Sequence, residues 1–443
     1  MMAALADRYP SESTMEPDLD RIRALMDLLG SPNRAYPSIH LTGTNGKTST
    51  ARMVDSLLRA SGLRTGRFTS PHLDSPTERI TLDGVPLSEE RFGEVYDEIA
   101  PYLPMVDEPV RATFFEVLTA MAFAAFADAP VDVAVLEVGL GGLWDATNVV
   151  DAPVAVVLPV GLDHVPMLGT TLAEIATEKA GIIHEGATVV LAAQQPEAAE
   201  VLLRRAVEVG ATVAREGLEY GVIDRSVAVG GQLVSLQGLY TRYDEVFLPL
   251  HGPYQAANAA AALAAVEAFL GRELSPEVVA EGFASVSSPG RLEVVRSSPT
   301  VIVDAAHNPH GMAATVAALS DAFSFNDLIA VVACLADKDA RAMLEVLEPA
   351  VTSVVVTTNS SPRALPVDDL AALAEEVFGE DRVTVEDRLD DALDAAIALA
   401  DEAGTYGGAG VLVTGSVVTA GEARRLLTEE VFPRFRAEFP AAV

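Results

Sequence analysis

The sequence predicts two α/β domains: an N-terminal, doubly wound, mostly parallel sheet with a P-loop turn over residues 1–288, and a smaller Rossmann-like α/β domain over 289–443. Three observations lead to this. Short, continuous apolar runs alternate with stretches of helical spacing, as expected of strands covered on both faces of a parallel sheet. The rhythm breaks at Ser287-Ser288-Pro289-Gly290, a hinge-like composition, and restarts beyond it. The chain has 443 residues, half of them apolar, which is too long for one ordinary core.

Taken in order, Ile39-His40-Leu41 reads as a strand, residues 42–46 as a glycine-rich turn, and residues 47–60 as a helix with Val54, Leu57 and Leu58 on one face. Apolar strands follow at 131–138, 154–160 and 188–192, with helical patterns at 115–127, 172–183 and 197–209. Residues 220–251 alternate and carry glycine turns, which predicts a β-hairpin excursion, and an alanine-rich helix covers 256–270. After the hinge, strands are expected near 301–303, 328–333, 353–357 and 411–413, with helices between them.

Composition narrows the partners. With 64 acidic against 30 basic side chains the formal charge is −34, which repels nucleic acid and anionic membranes alike. A single cysteine, Cys334, excludes an internal disulfide and a multi-thiolate zinc site. No apolar run is long enough to span a bilayer and the opening residues lack a signal-peptide core, so a cytoplasmic monomer acting on small molecules is expected. There are three lysines, Lys47, Lys179 and Lys338, and arginine fills the remaining basic positions. A lysine kept in such a chain points to chemistry a guanidinium cannot do: a compact phosphate contact, or a nitrogen able to lose its proton.

Gly43-Thr44-Asn45-Gly46-Lys47-Thr48-Ser49 lies between strand and helix, where backbone N–H groups and the positive helix end can hold phosphates. Lys47 adds charge at the terminal phosphates, and a hydroxyl from Thr48 or Ser49 could reach magnesium. Leu41 stands where the usual G-x-x-x-x-G-K-[ST] pattern has its first glycine, so this is a tighter variant. Glu137, at the end of the next clear strand and followed by Val138-Gly139-Leu140-Gly141-Gly142, and Asp163-His164, after the following strand, fall where open α/β sheets place ligands. Lys179 sits near a helix end, where by spacing alone it reads equally as a cation stabilising the helix C-terminus. In the second domain, Asp304-Ala305-Ala306-His307-Asn308-Pro309 again links strand to helix. Two such edges joined by a hinge predict a cleft suited to joining two substrates.

Together with Ser70-Pro71-His72-Leu73, Leu168-Gly169 and Glu178-Lys179-Ala180-Gly181, these motifs resemble, in order and over nearly the whole chain, the folylpolyglutamate synthase family, including its bifunctional dihydrofolate synthase form, within the ATP-dependent Mur ligase superfamily. The resemblance implies that residues 43–49 hold the ATP phosphates, that Asn258, Arg291 and Asp304 contact ATP, and that Thr48, Ser70, Glu137 and His164 ligate magnesium. It implies a Lys179 carbamylated by carbon dioxide and catalytic roles for Lys47, Lys179 and the cleft-facing His307. Thr113-Phe114-Phe115-Glu116 and Trp144-Asp145-Ala146 match segments lining the pteridine site, where rings beside a carboxylate suit a flat heterocycle. Lys338 matches a family loop and reads equally as a solvated charge.

Two positions depart from the family pattern: Thr48 stands where glycine is common, and Leu143 where arginine would offer a polar contact. The implied reaction is ATP-dependent ligation of L-glutamate to a folate or dihydropteroate carboxylate through an acyl phosphate. The rivals are a Mur-type ligase of cell-wall precursors, whose N-terminal UDP-binding domain has no counterpart in the short stretch before the first strand, and a nucleotide-dependent switch, which would need neither Lys179 nor the second polar cluster.

Overall fold

The computed structural model describes residues 18–107, 110–403 and 408–438. They form two compact units: one runs to Pro249 and resumes over Pro253–Ser287, and the other comprises Leu250–Gly252 and the chain from Ser288 onward. No described helix is long and apolar enough to cross a membrane.

The first unit is built on an eight-stranded sheet: β1 (Ser38–Thr42), β2 (Thr65–Phe68), β3 (Ile80–Leu82), β4 (Val85–Pro86), β5 (Val133–Glu137), β6 (Val154–Val157), β7 (Thr188–Leu191) and β8 (Thr212–Arg215). Their order is β4-β3-β2-β5-β1-β6-β7-β8. From β2 to β8 every pairing is parallel, and β3 and β4 extend the β2 edge antiparallel. Strands β1 and β5 are buried at every position, so β5 reads as an apolar run, while β1 carries Ser38, His40 and Thr42 buried beside its apolar Ile39 and Leu41. The edge strands β4 and β8, and β2 and β3 between β4 and β5, gave no such signal. Strand β2 carries Gly66 and Arg67, and its charge is matched inside the protein: Arg67 Nη1 donates to Asp55 Oδ2 at 3.0 Å, and the Thr65 hydroxyl donates to Asp55 Oδ1.

The predicted helix over 172–183 is α-helical only across Leu172–Lys179 and tightens to a 3₁₀ turn at Ala180–Ile182. The cause is close packing, since a Cβ on Gly181 would lie 2.2 Å from Leu143 Cα. The excursion is a three-stranded meander of β9 (Gly221–Ala228), β10 (Gly231–Gln237) and β11 (Arg242–Leu248) rather than a single hairpin. It is anchored by buried Glu267 of the helix Pro253–Leu270, whose carboxylate accepts the Tyr243 hydroxyl at 2.7 Å and the Leu239 N–H.

The second unit has six strands: β12 (Glu293–Ser297), β13 (Thr300–Val303), β14 (Asp327–Val332), β15 (Ser353–Val356), β16 (Val383–Val385) and β17 (Ala409–Thr414). They run in the order β12-β13-β17-β14-β15-β16, with only β12 antiparallel to its neighbour. Both sheets are thus mixed but mainly parallel, with helices as crossovers, as the sequence predicts.

Burial opposes the charge on Arg67, and the Asp55 carboxylate does most to restore it. Removing one partner of such a pair strands the other in a low-dielectric interior. Asp55→Asn is therefore expected to lower the stability of the first unit by about 3–5 kcal/mol, read as a shift of its urea unfolding midpoint against the parent chain.

Candidate active site

Strands β5, β1 and β6 are adjacent and parallel, so the loops that follow them open at one edge of the sheet. The chain leaves β1 toward β2 on one side and later places β6 on the other, which makes this edge a topological switch point, where open α/β sheets bind ligands. The Gly43–Gly46 turn is pinned there. Thr44 N–H donates to Pro159 O at 3.0 Å, and the Thr44 hydroxyl donates to Gly161 O at 3.0 Å while accepting Gly161 N–H at 2.9 Å. Gly43 and Gly46 adopt positive φ, and a Cβ on either would collide, at 2.6 Å from Leu158 Cβ and 2.7 Å from Asn258 Oδ1 respectively. Gly46 caps the helix Lys47–Ala60 without offering a side-chain acceptor. The first-turn N–H groups and the positive helix end therefore face the turn.

Glu137, at the end of β5, is 1 % exposed. The Thr48 hydroxyl donates to its two oxygens at 2.9 and 3.0 Å, and Ser70 N–H donates to Oε2 at 3.3 Å. Three of the four expected metal ligands are thereby brought together. The fourth, His164, is exposed at the same sheet edge in a left-handed conformation that caps the short helix Val165–Leu168, with Nε2 4.0 Å from Asp163 Oδ1. No group of three or more His, Cys, Asp or Glu side chains among the described residues is arranged to hold a metal by itself.

Two lysines meet at one oxygen. Lys47 Nζ donates to Gly43 O at 3.0 Å and Thr44 O at 3.2 Å, and buried Lys179 Nζ donates to Gly43 O at 2.9 Å. Burial first, then the charge of Lys47, pushes the Lys179 amine down to about 7, against the opposing pull of Asp163, Asp145 and Glu178. Lys179 is brought here by backbone contact between two glycine-containing segments. Leu143 N–H donates to Glu178 O at 2.8 Å, and a Cβ on Gly142 would lie 3.2 Å from Lys179 Cα.

The segments 113–116 and 144–146 flank the same edge. Thr113 and Glu116 form a reciprocal capping box on the helix Phe114–Asp128. Glu116 also accepts Arg21 Nε–H at 3.1 and 3.3 Å. Phe115 packs beneath Gly139, where a Cβ would touch its ring at 2.6 Å, and against Phe68. Phe114 is half-buried under the Arg79 guanidinium, 5.4 Å from the ring centroid, and Arg79 Nε–H donates to His72 Nδ1 at 2.9 Å. Burial and then Arg79 push His72 down to about 4. The 70–79 loop is braced internally by Glu78, whose carboxylate accepts the N–H groups of Leu73, Asp74 and Ser75 at 3.0, 2.9 and 2.8 Å. Trp144 is half-buried, Ala146 is buried and Leu143 is exposed. Asp145 is buried, accepting Leu140 N–H at 2.9 Å on Oδ2, and Thr147 N–H at 3.0 Å together with the Thr147 hydroxyl on Oδ1.

Asn258 abuts the phosphate turn through its contact with Gly46. Its Nδ2 donates to Gln255 Oε1 at 3.1 Å, and Gln255 Nε2 donates to Ser49 Oγ at 3.3 Å. Arg291, Asp304 and His307 lie in the second unit. Buried Asp304 accepts Leu292 N–H at 3.0 Å, Ala306 N–H at 3.0 Å and the Thr315 hydroxyl at 2.7 Å, bracing the turn after β13. Arg291 Nη1 donates to Gly290 O at 3.2 Å, and His307 Nδ1–H donates to Ala305 O at 2.9 Å. Lys338 is half-buried in the loop after β14. Sequence reasoning passed over Arg21, Arg79 and Gln255. Their partners are remote in the chain or lie on other elements, so no local spacing marks them.

Residues 41–266 match the Mur ligase middle domain and residues 290–417 the Mur ligase glutamate ligase domain. The chain is 53 % identical to the dihydrofolate synthase/folylpolyglutamate synthase of Mycobacterium tuberculosis, over 95 % of this chain and 92 % of that protein. The chain belongs to the dihydrofolate synthase/folylpolyglutamate synthase family. As a member it is an ATP-dependent ligase of glutamate to folates. It also resembles the M. tuberculosis folylpolyglutamate synthase structure complexed with ADP and AMPPCP, at 53 % identity and a TM-score of 0.92 over 96 % of this chain and 97 % of that one. The Escherichia coli family structure in complex with DHPP and ADP matches at 32 % identity and a TM-score of 0.84, over 98 % and 97 % of the two chains.

The Gly181 contact gives a direct check. A methyl group there meets backbone rather than a pliable side chain. Gly181→Ala should therefore cost about 1–3 kcal/mol and displace the segment that carries Lys179. The expected readouts are a lower thermal midpoint and reduced ADP release, whereas Gly210→Ala, at a turn with open space around it, should leave ADP release unchanged.

Proposed function

We propose that this chain adds L-glutamate to both dihydropteroate and reduced folates, and that the β5–β1–β6 edge activates the substrate carboxylate. The observation that carries the reading is the convergence of Lys47 and Lys179 on the Gly43 carbonyl beside the Glu137–Thr48–Ser70 cluster. ATP phosphates occupy the 43–49 turn, supported by its N–H groups and by Lys47, which exchanges its two carbonyl acceptors for phosphate oxygens. Asn258 and Ser49 complete the nucleotide side. In the second unit, Arg291 and Asp304 serve ATP and His307 serves the reacting carboxylate.

Magnesium fits this donor set. Thr48 Oγ1, Ser70 Oγ and the Glu137 carboxylate are hard oxygen ligands, and Mg²⁺ is usually held by one or two carboxylates together with phosphates rather than by a full protein cage. Glu137, Thr48, Ser70 and His164 would hold it, and it would neutralise charge on the transferred phosphoryl group. The substrate carboxylate attacks the γ-phosphorus and ADP departs. The glutamate amine then attacks the acyl carbon, loses a proton and expels phosphate, leaving an amide. No covalent bond to the protein is needed, so the protein's work is positioning, electrostatic stabilisation and exclusion of water.

Lys179 acts as its carbamate. Carbon dioxide adds only to a neutral amine, and an amine near 7 supplies one at physiological pH, as an arginine could not. The product is an anion, which exchanges repulsion from Lys47 for attraction. Thr113, Phe114, Phe115 and Glu116, with Trp144, Asp145 and Ala146, receive the pteridine ring. Action as a monomer is part of the same reading.

ADP release should require glutamate together with either dihydropteroate or tetrahydrofolate, offered separately. Lys179→Ala should lower it by about 100-fold, with partial restoration by acetate. The parent chain should incorporate label from carbon-13 bicarbonate increasingly as pH rises through about 7, because protonation below that value removes the lone pair. Glutamate-independent ADP release would sink the ligase reading, and an unlabelled parent chain or a fully active Lys179→Ala would sink the carbamate. Glu137→Gln should remain folded, as judged by circular dichroism, while requiring about 10-fold or more higher magnesium for half-maximal rate.

A further inference from the structure

His40 lies in the middle of β1, fully buried and opposite Leu136 of β5 and Ala155 of β6. Its neighbours in the strand, Ile39 and Leu41, are ordinary core residues, whereas an imidazole there carries a desolvation cost that a leucine would not. Its Nε2 lies 2.8 Å from Thr147 Oγ1, while its Nδ1 finds no hydrogen-bond partner among the described residues. The Thr147 hydroxyl donates to Asp145 Oδ1, and Asp145 Oδ2 accepts Leu140 N–H at 2.9 Å. The hydrogens along this chain have one consistent direction. A carboxylate has none to give, so the hydroxyl proton points at Asp145, and Thr147 Oγ1 must accept from His40 Nε2–H.

Resting on the assignment of Trp144, Asp145 and Ala146 to the pteridine side, we propose that His40 is a positioning residue for the folate substrate: through Thr147 it fixes the orientation of Asp145 and, with it, the 139–147 loop. Each donor polarises the next, so the relay holds Asp145 more firmly than two separate hydrogen bonds would. Burial favours the neutral imidazole, pushing it down to about 3, which keeps the donor pattern the same across the working range. The far end of the loop is tied independently. Asn148 Nδ2 donates to Leu143 O at 3.0 Å and Gly181 O at 3.2 Å, and Asn148 Oδ1 lies 2.9 Å from His184 Nε2. The 43–49 turn has contacts of its own, from Pro159, Gly161 and Asn258, and meets this loop through the Thr42 hydroxyl, which donates to Gly141 O at 2.7 Å, so the relay bears first on the folate side.

The test uses the full chain with His40→Leu, the near-isosteric Thr147→Val, the conservative Thr147→Ser and the double variant His40→Leu/Thr147→Val. His40→Leu and Thr147→Val should each raise KM for dihydropteroate or tetrahydrofolate by about tenfold, with KM for ATP within about twofold of the parent. Thr147→Ser should restore the parent value. The double variant should be no worse than the poorer single one, since both break the same line. Without any ligand, amide exchange at Leu140 and Thr147 should quicken in Thr147→Val while Thr44 and Lys47 keep their protection. Equal rises in both KM values, multiplicative effects in the double variant, or unchanged exchange at Leu140 would overturn the proposal. If the parent chain turned over no folate, the ligase reading would fall, while the exchange measurement would still decide the relay.

Discussion

The Gly43 carbonyl oxygen, with an ammonium donor on either side, is the point on which the site turns. Holding Lys179 inside the first unit costs desolvation free energy, and the nearby Lys47 adds repulsion. What makes the position tenable is the short hydrogen bond to the backbone oxygen just after β1, and the close packing of Leu143 against Gly181 that fixes the segment carrying the lysine. The same circumstances that make the charged amine expensive make the neutral amine abundant, and a neutral amine can become an anion by taking up carbon dioxide. In the proposed carbamate, local instability of one protonation state would be the source of reactivity, a common pattern where titratable groups are buried near one another.

Parallel strand direction supplies the rest. Because β5, β1 and β6 run the same way, a loop residue after one strand is placed near the loop residues after its neighbours regardless of their separation in sequence. Thr48 and Glu137 are far apart in the chain yet within a hydrogen bond of each other. Glycines then remove the last obstacles. Gly43, Gly46, Gly142 and Gly181 each occupy a place where a single added carbon would strike a neighbour, so the loops close to backbone contact instead of side-chain distance.

How much could be read beforehand follows from these causes. The phosphate turn was visible because its parts are contiguous: glycines with a positive helix end, a lysine and hydroxyls within seven residues. Lys179 stood out by rarity, although spacing alone could not separate it from a helix-end cation. Ser70 and the ring-lining segments came from the resemblance and had no signature of their own. Strands β5, β6 and β7 were apparent because burial on both faces leaves apolar runs, and β1 because Ile39 and Leu41 lead straight into the glycine-rich turn, whereas β2 was hidden by Arg67, whose compensation by Asp55 depends on tertiary contact. Arg21 and Arg79 were invisible for a related reason: in a chain where arginine is the ordinary basic residue, one more arginine carries no information until its partner is seen. The direction in which Asp145 points could not be inferred either, because it depends on a threonine hydroxyl and an imidazole from another strand.

The internal brace of the 70–79 loop has an implication for how ligands are met. Glu78 occupies three successive backbone donors, so the irregular path that presents Ser70 is already frozen when the chain folds. The conformational freedom of that stretch is lost during folding and not when a ligand arrives. An acid-rich chain has thereby used one of its surplus negative charges as scaffolding.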